Sequence, residues 1–209
     1  VNMKLDLFKE NKADYVAPKQ PKLVSIKECC YLAINGQGAP GSAGFQEAIE
    51  ALYAMAYTIK MTRKAAGKGD YTICKLEAQW WYEGNEDVAE VSQDQWSWQL
   101  LIRTPDTVEQ ADLQAASEVL IKKGKSTLTG NVQLIHLEEG RCLQVLHVGP
   151  YEDECRSIEL LKDHAKELGL VFSGNHHEIY ISDPRRTPAE RLKTILRYPV
   201  SELEEGLPS

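Results

Sequence analysis

In the stretch HHEIYISDPRR, residues 176–186, a carboxylate interrupts a strand-like run. Alternation places Glu178 and Tyr180 on one face and His177, Ile179 and Ile181 on the other. A carboxylate away from water is costly unless a cation or hydrogen-bond donors meet it. The isoleucine face is expected to pack on helices, which sends Glu178 and Tyr180 to the opposite face. If Trp80, Tyr82, Trp96 or Trp98 share that face, an acid sits inside an aromatic enclosure. Such a site suits a planar cation, because ring faces attract positive charge by roughly 0.5–2 kcal/mol per contact. Alternation alone leaves two readings open. Glu178 is either a solvated strand residue beside core tryptophans or the acid of a ligand cage.

Other residue groups carry less chemistry. His176 and His177 are adjacent, so in a strand they point to opposite faces and cannot share a metal undistorted. No metal site is expected. Cys142 and His147 are likewise on opposite faces, which argues against a thiol–imidazole pair. Cys155 falls on an apolar helix face and reads as core. Asp183, Arg185 and Arg186 read as a pinned turn. GQGAPG lacks the GK[ST] of a phosphate loop and the spacing of a dinucleotide fingerprint, so no cofactor is expected.

The elements that must position Glu178 follow from periodicity. Residues 1–21 read as an extended arm and 22–34 as a strand closed by the glycine-rich NGQGAPGSAG. Phe45, Ile49, Leu52, Ala56 and Ile59 form one helical face, ending before Gly67. LEAQWWYE and WSWQLLIR alternate as strands, and the acidic link of about 83–95 reads as a loop. TVEQ, from Thr107, predicts a capping box and a helix to Gly124. VQLIHLEEGRCLQVLHV reads as a hairpin turning at Glu139-Gly140. GPYEDEC opens a helix with Ile158, Leu161, Ala165 and Leu168 on its apolar face, and Glu152, Asp153 and Glu154 suit its dipole. TPAE, with Pro188, predicts one more helix start, and TILRYPV a last strand. The order strand, glycine turn, helix, two strands occurs twice, without residue-level identity between the copies. The fold class is α+β, an antiparallel sheet with helices on one face and a ligand cleft on the other.

Composition limits the function classes. The chain has 209 residues, 43% of them hydrophobic, enough for a core. Its five cysteines form no CxxC pair, and no charged-then-apolar leader opens it, so a reducing, cytoplasmic setting is expected. No apolar run approaches the roughly 18 residues of a membrane span. A net charge of −7 without a basic stripe disfavours nucleic acid and favours cationic or neutral small ligands. Oligomeric state is not readable from the chain.

The motifs GQGAPG, EALYAMAYTIK, LEAQWWYE, WSWQLLIRTPD, HVGPYEDE and HHEIYISDPRRTPAERLKTILRYPV resemble the GyrI-like small-molecule-binding family, in its stand-alone members. The resemblance spans nearly the whole chain. It implies two pseudo-symmetric βαββ modules, about 22–104 and 141–200, joined by a helix and a strand within a domain of 22–209. Their cleft would bind planar, lipophilic, often cationic compounds polyspecifically. It makes Glu178 the buried acid, Tyr151 a second site residue, and Trp80, Trp81, Tyr82, Trp96 and Trp98 the aromatic walls. Relatives fused to DNA-binding helices act as multidrug-sensing regulators; this chain has no helix-turn-helix signature, which favours a free-standing binder. Some similar members hydrolyse cyclopropane-bearing alkylating toxins, a chemistry that Glu178 with Tyr151 or Tyr180 could perform. A third implied role is a ligand sensor for a separate transcriptional regulator.

Overall fold

The computed structural model describes residues 4–84, 91–125 and 127–203; part of the expected acidic loop, 85–90, lies outside them. Along the chain run α1 (Leu7–Glu10), β1 (Lys22–Ile26), β2 (Cys29–Gln37), α2 (Ala43–Ala65), β3 (Leu76–Trp81), β4 (Ser97–Arg103), α3 (Gln110–Lys122), β5 (Gln133–Leu137), β6 (Gly140–Val148), α4 (Glu154–Glu167), β7 (Leu170–Phe172), β8 (His176–Tyr180) and β9 (Lys193–Glu202). The class is α+β, with antiparallel strand pairing throughout these strands. The chain divides into two compact units, residues 1–11 with 29–137 and residues 12–28 with 138–209.

In the first unit the strand order is β5-β2-β4-β3. The Ser42 side chain accepts from the Phe45 amide at 3.4 Å and starts α2. Phe45, Ala48, Leu52, Met55, Ala56 and Ile59 form its buried stripe, as the spacing predicts. Each large side chain in such a stripe contributes roughly 1.5–3 kcal/mol through burial. Arg63, near the end of α2, is buried against Asp112 of α3 and donates to the Thr107 hydroxyl at 3.0 Å. Thr107 therefore does not cap α3. Glu109 does, in a capping box with Asp112, two residues later than TVEQ suggested. Because Asp112 must also meet Arg63 and Lys68, the helix start is placed by tertiary charge pairing.

The second unit has the order β1-β6-β9-β8, with β7 also on β9. Leu161 and Ala165 of α4 pack on Leu143, Val145, Leu196 and Val200. The expected hairpin at Glu139-Gly140 does not form. β5 pairs with β2 in the first unit, while β6 pairs with β1 and β9 in the second. Glu139 is drawn instead into a buried ion pair described below. Residues 4–21 are not simply extended: α1 and a 3-10 turn at Lys12–Asp14 precede buried Tyr15 and Ala17. The TPAE start yields only a 3-10 turn, Ala189–Arg191.

The two units repeat each other in register. In both, with β7 set aside, strand, helix, strand, strand is laid out with the last strand between the other two. Gly38 (φ 119) and Gly149 (φ 143) both follow the first strand. Gly38 N donates to Trp96 O at 2.8 Å, and Gly149 N donates to Leu192 O at 3.0 Å. Counting from these bonds equates Gly36 with His147, Trp98 with Thr194, Trp80 with Tyr180 and Ala78 with Glu178. Gly36 is required in the first unit, since a Cβ there would lie 2.2 Å from the Trp98 ring. Gly36→Ala is expected to cost about 1–3 kcal/mol, read from urea unfolding, because the ring has to shift.

Candidate functional site

The sequence expectation put Glu178 on the face away from the helix. The register reverses this. Glu178 pairs with Leu196 and Tyr180 with Thr194, and Leu196 belongs to the cluster beneath α4. His176, Glu178 and Tyr180 therefore share the α4 face. His177 and Ile179 take the other face, and both are fully buried. β8 is covered on both sides, so isoleucine alternation does not mark the helix side. Polar groups from distant segments meet each of its buried charges.

Glu178 has a side-chain exposure of 13%. His176 Nε2 lies 3.0 Å from its Oε1, and the Tyr180 hydroxyl donates to its Oε2 at 2.6 Å. Its third partner is Glu154, the first residue of α4, whose carboxyl hydrogen-bonds to both Glu178 and Thr194. Two carboxyl groups in one hydrogen bond hold one proton between them. Environment decides which holds it. Burial, then the charge of Glu178 and their shared bond, push Glu154 up to about 10. Burial also works to raise Glu178, but donation from His176, its charge, and the bonds from Tyr180 and Glu154 hold it below the ordinary carboxylate range. The surroundings thus favour the proton on Glu154 and the negative charge on Glu178.

Tyr151 opens the short turn before α4 and is 38% exposed. Its ring meets that of Tyr180 edge-on at 5.9 Å. Burial, followed by the charges of Glu178, Glu154 and Asp183, raises its phenol to about 12, so it remains a donor. His147 fastens this turn to the helix: Nε2 lies 3.0 Å from Pro150 O and Nδ1 lies 3.0 Å from Ser157 Oγ. The carbonyl can only accept, so Nε2 donates to it, and in the neutral ring Nδ1 accepts from the serine hydroxyl. Tyr198 stacks on Phe172 at 4.0 Å and reaches His176 at 4.8 Å. The acid pair is therefore accompanied by aromatic rings of its own unit.

The tryptophans belong to the first unit. Trp80 stacks on Phe45 of α2 at 5.3 Å, and Trp98 meets the same ring edge-on at 5.3 Å. Both are buried in the core of the first unit. Trp96 is half-buried, edge-on to Trp80 at 5.9 Å; Trp81 and Tyr82 are also half-buried. The repeat explains the contrast. At the register of Glu178, Tyr180 and Thr194 the first unit has Ala78, Trp80 and Trp98, so aromatic rings fill the space that carboxyls take in the second.

Three groups escaped the sequence reading. Glu154 was visible only as one of three acids at a helix start. His176 was discounted with its neighbour. The third is a buried network on the far face of β8. Glu139 accepts from His177 Nδ1 at 2.8 Å and from Arg197 Nη1 at 2.9 Å, and Arg197 donates to Gln144 Oε1 at 3.2 Å and Asp14 O at 2.7 Å. Asp183 caps its turn as expected, but the arginine expected to reach a distant carboxylate stays local: the Arg185 amide and Nε each donate to Asp183 Oδ1 at 3.0 Å.

The family model "GyrI-like small molecule binding domain" matches residues 19–201. Among solved structures, an uncharacterized conserved protein from Listeria innocua is 38% identical, with TM-score 0.89 over 95% of this chain and all of that one. A hydrolase from Listeria innocua is 35% identical, with TM-score 0.85 over the same shares. The EcmrR C-terminal domain, at 15% identity, TM-score 0.57, 88% of this chain and 98% of that one, shares the fold alone. No curated protein matches. No helix among the described residues is long and apolar enough to cross a membrane.

Proposed function

As the chain belongs to the GyrI-like small-molecule-binding family, we propose that it binds lipophilic electrophilic small molecules at Glu178 and hydrolyses them. The observation that carries this reading is the cluster of buried Glu154 with Glu178, whose oxygens meet His176 Nε2 at 3.0 Å and the Tyr180 hydroxyl at 2.6 Å, in surroundings that raise Glu154 and lower Glu178. Two titratable groups driven apart by their surroundings are the arrangement that acid–base hydrolysis requires. A relative at 35% identity is a hydrolase, which supports the same direction.

The substrate class we favour carries a strained cyclopropane conjugated to a carbonyl. Glu178 takes a proton from water as the water oxygen bonds to a ring carbon. The strained carbon–carbon bond breaks, and its electron pair moves to the carbonyl oxygen, which takes the Glu154 proton. The proton now on Glu178 returns to Glu154 across their shared bond, restoring the pair. Tyr180, bonded to Glu178 at 2.6 Å, orients the base, and Tyr151 supplies ring surface and a hydroxyl donor.

A second reading is sequestration without turnover. The rings of Tyr151, Tyr180, His176 and Tyr198 near an ionised glutamate favour it, since they suit planar cations. Ligand sensing for a separate regulator would use the same groups. Incubation with a cyclopropane-bearing alkylator, followed by mass spectrometry, separates the first two. A water adduct formed over many turnovers is expected; protection that stops at one equivalent of protein would leave sequestration.

A further inference from the structure

We propose that Glu154, His176 and Glu178 form a binding site for a divalent transition-metal ion. One donor atom from each lies within 4.8 Å of the others. Metal–ligand bonds of roughly 2.0–2.2 Å set neighbouring donors about 3–3.5 Å apart. His176 Nε2 and Glu178 Oε1 are already at 3.0 Å. The Glu154 carboxyl, already within 4.8 Å of both, supplies the third donor and has one oxygen to give. Glu154 is 6% exposed, and its Oε1 has no hydrogen-bond partner among the described residues.

Chemistry selects the ion. Once the ion displaces the proton the pair shares, two carboxylates neutralise a divalent charge, which lets the ion sit in a buried place. The further charge acting on Glu154, that of Glu152, is also negative. An imidazole in the set favours zinc, manganese, iron(II) or cobalt over calcium and magnesium, which take oxygen donors. Three protein ligands leave a position for water. The adjacent histidines point to opposite faces of β8, so the set takes His176 and leaves His177 with Glu139.

This inference stands apart from the hydrolase reading, because binding is measured without substrate. An ion held by both carboxyls would also occupy the groups that the acid–base reaction needs, so zinc is expected to inhibit that reaction. The full chain, stripped of metal, is titrated with Zn²⁺ by calorimetry and with Co²⁺ by visible absorption. One ion per chain is expected, with a tenfold or greater loss of affinity in both His176→Ala and Glu154→Gln. His164→Ala, in an exposed pair with Glu167, should change nothing. Glu178→Gln replaces either site variant that fails to fold by circular dichroism. No binding by the wild type, or undiminished binding in either site variant, overturns the proposal. Hydrolysis by a chain that binds no zinc would overturn the metal site and leave the carboxyl pair standing.

Discussion

Glu178→Gln is expected to lower kcat/KM for hydrolysis by about 10²–10⁴-fold, the usual contribution of a positioned base. Glutamine keeps the size of the side chain and an oxygen for the Tyr180 hydroxyl, so the loss should fall on kcat with the fold intact. Glu154→Gln tests the other partner. Its amide can still donate to Glu178 but has no proton to transfer, so the same loss is expected from the acid side. The two losses should not add, because a pair that passes one proton fails as a unit. Full activity in either variant, measured with the same cyclopropane-bearing alkylator, would remove that carboxyl from the reaction. If the wild type shows no turnover, the assay becomes binding of a cationic dye. Equal affinity in wild type and Glu178→Gln would then remove the acid from ligand recognition as well.

The fold was legible where one face of an element is apolar. The α2 stripe from Phe45 to Ile59 and the strands around Trp80 and Trp98 follow directly from spacing. What misled was burial on both faces. Along β8, Ile179 and Glu178 are both enclosed, and local alternation cannot tell which enclosure is the helix. Long-range charge pairing was equally silent: Asp112 moved the start of α3 toward Arg63, and Glu139 left a hairpin for His177 and Arg197. Glu178 and Tyr151 were legible only through family motifs. Glu154 was not legible, because an acid at a helix start is normally explained by the helix dipole. The internal repeat appeared in sequence as an order of elements. Its register emerges only from the matched bonds of Gly38 and Gly149, which no residue identity marks.

The same geometry predicts a large stability effect behind the site. Arg197→Met should destabilise the protein by about 3–5 kcal/mol, because it strands a buried carboxylate. Arg197 is 2% exposed and joins Glu139, Gln144 and the Asp14 carbonyl, tying β9 to the segment before β1. At about 2–4 °C per kcal/mol for a chain of this size, the melting temperature should drop by roughly 10 °C. The pH dependence has a defined sign. Burial alone would raise Glu139, but His177 and Arg197 outweigh it and hold the carboxyl at about 2, below its ordinary 4.5. The unfolded chain then binds the proton more readily than the folded one. Stability from this group is present above about pH 4.5 and is lost as pH falls toward 2. Acid unfolding of wild type should report that loss, and Glu139→Gln should flatten it. Combining Glu139→Gln with Arg197→Met should recover part of the single-variant cost, since no carboxylate is then stranded. A loss under about 1 kcal/mol in Arg197→Met would mean that water reaches the network, and the enclosure of β8 on its far face would then fail as the reason for the misread alternation.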